Sequence, residues 1–89
     1  MNMDNIHHIE AFKSACASEW EFNKDFLERV GVNPEVLGKT VQTEHGVGRI
    51  VGLKARNRKM PFIVSCLGGK FRKMNLVAFK GVLHQNSLL

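Results

Sequence analysis

Much common chemistry is missing from this sequence, and each absence narrows its role. Cysteine occurs only at Cys16 and Cys66, with no close spacing and no second pair. That argues against a zinc site and a disulfide framework and leaves free, mostly buried thiols. No apolar run approaches the ~20 residues needed to span a membrane. The N-terminus lacks the basic start and apolar core of a secretory signal, so a cytoplasmic protein without membrane association is expected. There is no phosphate-binding loop. Gly46-Val-Gly48 is too short, and Gly68-Gly69-Lys70 does not open a helix at the required spacing.

Acids are nearly absent from the second half. After residue 37 the sole carboxylate is Glu44, so the paired carboxylates of general acid–base chemistry are not available there. Cys66 lies in an apolar strand, where a thiol is usually a small core hydrophobe. His7 and His8 are adjacent and point to different helical azimuths, and His84 is remote, a poor set for chelation. No enzyme, no metal and no cofactor are expected.

What is present is an uneven charge. The formal total is +5, but residues 1–37 carry seven acids and three bases, a net −4, while residues 38–89 carry ten bases and one acid, a net +9. The chain has 89 residues, enough for one domain that buries about 60–65% of its unfolded surface. It contains no internal repeat and no low-complexity segment.

In chain order, Asp4 or Asn5 caps a helix that starts near Ile6, with Ile6, Ile9, Phe12 and Cys16 on one face. Ser18-Glu-Trp-Glu21 matches a capping box, which favours a break near Ala17 or Ser18 and a second helix to Val30, ended by Gly31. One continuous helix through this region is the alternative, since Cys16, Trp20, Leu27 and Val30 also share a side. Asn33-Pro34-Glu35 predicts a cap and one short helical turn.

Lys39 to Thr43 alternates as a half-buried strand, the chain reverses at His45-Gly46, and Arg49, Ile50 and Val51 resume strand-forming types. Gly52 between Val51 and Leu53 predicts a bulge. Lys54 to Lys59 reads as an exposed basic loop. Pro61 to Leu67 is a third strand apolar on both faces, Gly68-Gly69 a two-residue hairpin turn, and Lys70 to Met74 a fourth strand. Asn75 caps a single helical turn, Leu76 to Phe79, and Gly81 to His84 is a short fifth strand. The order is that of an SH3-like barrel. The expected fold is α+β: a helical segment, residues 1–37, whose two helices pack on a five-stranded SH3-like, Tudor-like barrel, residues 38–89.

Val41 to Leu53, VQTEHGVGRIVGL, resembles the opening hairpin of the RNA-polymerase-interacting module shared by CarD-type transcription regulators and the bacterial transcription-repair coupling factor. It is similar, more loosely, to the Tudor-like tail of UvrD-type helicases. The likeness covers residues 38–83, is dense over the hairpin, and fades to a strand pattern beyond Leu53. It implies a barrel that docks on polymerase. The chain has neither the helical DNA-binding domain of CarD nor the motor of the coupling factor.

The bases Lys54, Arg56, Arg58, Lys59, Lys70, Arg72 and Lys73 are the main candidate contacts, because a loop and hairpin rich in one sign attract phosphates or an acidic protein surface. The plainer alternative is a solvated face that aids solubility; the scarcity of acids favours binding. His45 and Arg49 lie in the hairpin of the resemblance. An imidazole in such a turn commonly ties down the loop. Phe62, Phe71 and Phe79 read as core and not as stacking platforms.

The expected function is a small regulatory adaptor, bacterial or from a mobile element, whose basic barrel surface docks on RNA polymerase or another nucleic-acid-handling complex. Direct nucleic-acid contact and a homodimer are open. One alternative is a phage-, plasmid- or cassette-encoded inhibitor that occludes a host complex through its acidic helices. Another is a homo-oligomer whose barrels share a pocket.

Overall fold

The N-terminal helix runs straight through its own capping box. The computed structural model describes residues 3–66 and 69–89, and α1 spans Met3–Phe22 without a break at Ser18. Cys16 and Trp20, one turn apart, are both buried. A Cβ at Gly52 would collide with the Cys16 carbonyl and come within 2.9 Å of the Ala17 nitrogen. The helix backbone thus lies directly on the sheet at the point where the sequence suggests a break, and this packing outweighs a local cap. Gly52 also has φ +150, so a glycine is needed there for both conformation and clearance.

The interruption comes at Asn23 instead, whose side-chain amide donates to the Glu19 carbonyl at 2.7 Å. A short α2, Lys24–Arg29, follows and buries Leu27. It ends in a Schellman motif: Gly31, at φ +84, donates to the Glu28 carbonyl, and Val32 donates to the Leu27 carbonyl. Lys80 reaches over from the last helix and donates to the Val30 carbonyl at 3.0 Å. The expected turn after Asn33 is a 3₁₀ turn, Pro34–Val36, with the Asn33 side chain accepting from the Glu35 N–H.

Four strands form one antiparallel sheet in chain order: β1 Thr40–Thr43, β2 Gly46–Leu53, β3 Phe62–Cys66 and β4 Lys70–Met74. The register slips between Ile50 and Gly52, which is the expected bulge, and it bends β2 across α1. Of the Gly68-Gly69 turn, Gly68 lies outside the described residues, as does Leu67 at the expected end of the third strand.

The closed five-stranded barrel is not formed. Among the described residues the fold is an open four-stranded sheet with three α-helices. Gly81 to His84 is not a strand: it belongs to α3, Leu76–Gln85. Asn75 caps α3 as expected, accepting from the Ala78 N–H at 2.8 Å. The helix then continues because Phe79 and Leu83, four residues apart, are both fully buried. That pair outweighs the cost of about 1 kcal/mol for a glycine inside a helix.

The sheet is covered on both faces. On one, Trp20, Leu27, Val36, Ile50, Phe62, Phe79 and Leu83 belong to the main core. Phe62 and Phe79 stack with centroids 4.3 Å apart, and Trp20 meets both edge-on while its indole N–H donates to the Pro34 carbonyl at 2.9 Å. On the other face, Cys16, Val51 and Ile63 form a smaller cluster flanked by Phe12 and Phe71, whose rings meet edge-on at 4.8 Å. β3 is therefore apolar on both sides for the expected reason.

Candidate interaction surface

In an open sheet the two outer strands end in unpaired backbone, and here they are treated differently. The side-chain amide of Asn86 accepts from the Gln42 N–H at 2.8 Å and donates to the Gln42 carbonyl at 3.0 Å. It gives β1 the two bonds a neighbouring strand residue would give. The same amide donates to the Val82 carbonyl at 2.8 Å, tying the seal to α3. β4 lies at the other edge. Among the described residues its outward N–H and C=O groups, on alternate residues, have no partner.

That open edge carries Lys70, Arg72 and Lys73, all exposed. The strand pairing divides them: Arg72 sits across from Val64 of the main core, while Lys73 sits across from Ile63 on the α1 side. The β2–β3 loop adds Arg56, Arg58 and Lys59, also exposed. The loop is braced by Lys54 donating from its N–H to the Pro61 carbonyl at 2.7 Å, and by the Asn57 side chain accepting from the Met60 N–H. It leads into β3 at Phe62, the register partner of Met74, while Arg58 lines a separate groove with Phe26 and Leu53.

A groove of about 490 Å³ joins these elements. Its walls include His45, Arg72, Lys73 and Met60, and α3 lines it with Ala78, Gly81, Val82 and Gln85. These α3 residues escape a strand reading; read at helical spacing, 78, 81, 82 and 85 share one face. Among the described residues the only ion pair is Lys24 with Glu21, at 2.9 Å on the helical side, so the cations of loop and edge face solvent without carboxylate partners.

The remaining candidates are placed apart. Lys54 is half-buried, its ammonium 5.4 Å from the Phe12 ring centroid, and so braces α1 on the sheet. Arg49 pairs with Ser65 on the α1-side face, and Lys70 sits at the far end of β4. His45 is exposed in the Glu44-His45 turn, but the loop is tied by Thr43: its hydroxyl accepts from the His45 N–H at 3.1 Å and donates to the Gly46 carbonyl at 2.8 Å. His45 is among the residues that line the groove. Glu19 is engaged internally, accepting from the Ala55 N–H at 2.7 Å.

Comparison with protein-family models, curated proteins and solved structures finds no match for this chain. Its chemistry has to be read from its own surface. Among the described residues no three His, Cys, Asp or Glu groups converge as metal ligands, and no helix is long and apolar enough to cross a membrane. The Cys16 thiol is pushed up from its ordinary value, first by burial and then by Glu19, with Lys54 partly opposing. It is protonated at neutral pH and suited to packing.

Proposed function

We propose that this chain is a non-enzymatic binding module that docks on RNA polymerase or another nucleic-acid-handling complex through its basic β4 edge and β2–β3 loop. The observation that carries this reading is the coincidence of an unpaired strand edge bearing the exposed Arg72 and Lys73 with a loop bearing the exposed Arg56, Arg58 and Lys59, none of them ion-paired among the described residues. Such a patch steers an acidic surface into place, and free strand backbone can then hold it. The hairpin VQTEHGVGRIVGL, which resembles the polymerase-docking module, supports polymerase as the partner. Its turn brings His45 into the same groove as Arg72. Binding of this kind weakens as salt rises, since exposed charges are screened over about 10 Å at 0.1 M ionic strength.

The test is affinity capture from bacterial lysate with tagged protein, with and without nuclease, at two salt concentrations. Polymerase subunits retained after nuclease, and lost with Arg72→Glu/Lys73→Glu, support the proposal. Capture unchanged by that variant and by Arg56→Ala/Arg58→Ala/Lys59→Ala removes the basic surface from consideration.

A further inference from the structure

The most exposed aromatic in the protein is at the end of α1, not on the β4 edge. Phe22, the last residue of α1, is 91% exposed, and Phe26, one turn on, is 36% exposed. Beside them is an open groove of about 340 Å³ lined by Asn23, Phe26, Leu53, Ala55, Arg58 and Pro61. Phe26 thus forms part of a largely apolar hole, and the exposed ring of Phe22 precedes it by one helical turn.

The flanks of this patch have opposite charge. On the helical side stand the exposed Glu21, Lys24 and Asp25, two carboxylates against one ammonium with Lys24 paired to Glu21 at 2.9 Å, and on the loop side the exposed Arg56 and Arg58. A patch with an apolar centre, a knob, a hole, an acidic flank and a basic flank is complementary to itself under a two-fold rotation. The rotation carries each Phe22 toward the partner's groove and each acidic flank toward the partner's basic flank.

We infer that this corner is a homodimer interface, with Phe22 of each copy seated in the groove of the other. The patch is small beside the roughly 800 Å² per partner of a standard stable interface, so the dimer is weak and concentration-dependent. It engages Arg58, which also belongs to the basic loop, so dimerisation and partner binding are in competition for that side chain.

Sedimentation velocity of the full chain over a concentration series, at low and moderate salt, tests the inference. The expected result is a reversible monomer–dimer equilibrium that weakens with salt, and a dissociation constant raised about ten-fold or more in Phe22→Ala. Phe22 is exposed, so this variant keeps its fold, which circular dichroism checks. Two charge reversals give an independent reading: Glu21→Lys/Asp25→Lys and Arg56→Glu/Arg58→Glu. Each alone places like charges opposite each other and is monomeric, whereas mixing the two restores a heterodimer, since both charge contacts are then complementary. A chain that is monomeric throughout the series, or a Phe22→Ala variant that dimerises like the parent, overturns the inference. So does a pair of reversal variants that fails to recombine.

Discussion

The two edges of the sheet solve one physical problem in opposite ways. β1 ends in a seal: one amide side chain, Asn86, satisfies both backbone groups of Gln42 and is itself anchored to α3. β4 ends in open backbone decorated with Lys70, Arg72 and Lys73. Basic side chains on an edge discourage chance pairing with other strands, because any approaching edge of like charge is repelled. They leave the edge accessible to an acidic partner. The lesson is that an open sheet can protect its two edges by different means, one with hydrogen bonds and the other with charge.

The largest effect should come from removing the support of the seal. Leu83 is fully buried where α3 meets the core, and Leu83→Ala is expected to cost about 2–5 kcal/mol. Urea unfolding measures the loss, and hydrogen exchange at Gln42 reports whether the β1 edge opens with it. Retained Gln42 protection would mean that α3 is not what seals β1. Next in size is the seal itself. Asn86→Ala should lose about 1–2 kcal/mol, because two backbone groups of β1 return to solvent or go unpaired. Asn86→Asp sharpens the point: it keeps the acceptor for the Gln42 N–H but loses both donors, so it should rescue little of the loss.

At the other edge the same kind of experiment should do almost nothing to stability. Among the described residues the side chains of Arg72 and Lys73 make no ion pair, so Arg72→Glu and Lys73→Glu are each expected to move unfolding by no more than about 0.5 kcal/mol. A large destabilisation there would erase the contrast between the edges.

The smallest effect contrasts the two thiols. Cys66 pairs in register with Lys70 beside the open edge and is half-buried, whereas Cys16 is buried under α1. Iodoacetamide at pH 8 should modify Cys66 first, read by mass spectrometry. Cys16 ionises in the unfolded chain near its ordinary value of 9.0 and higher in the folded one. Its contribution to stability is therefore complete below about pH 9 and is lost as pH rises through the folded value. Unfolding midpoints measured from pH 8 to 10 should fall slightly, and Cys16→Ala should remove that part of the decline.

What was legible in the sequence was what is decided locally. The Gly52 bulge, the β4 strand, the Asn33 turn and the Asn75 cap each depend on a few neighbouring residues, and all are found in the structure. Two readings failed where distant parts of the chain decide. Ser18 through Glu21 fits a helix start, but the contact of Cys16 and Ala17 with Gly52 keeps the helix continuous there. Gly81 to His84 fits a strand, but burial of Phe79 with Leu83 and the bond from Asn86 to Gln42 require a helix. The site divides in the same manner. Its cations show in composition alone, while the α3 wall of the groove is invisible until Ala78, Gly81, Val82 and Gln85 are read at helical spacing.

Asn86 follows Gln42 by 44 residues, and that separation sets an order of events as the chain leaves the ribosome. Chains are made from the N-terminus at about 5–20 residues per second, so all four strands emerge before the amide that closes β1. β4 ends at Met74, so at that rate the nascent sheet exposes backbone at both ends for roughly one to two seconds, and only one end carries repelling cations. The early intermediate is thus most vulnerable to mispairing through β1, the edge that is quietest in the finished protein.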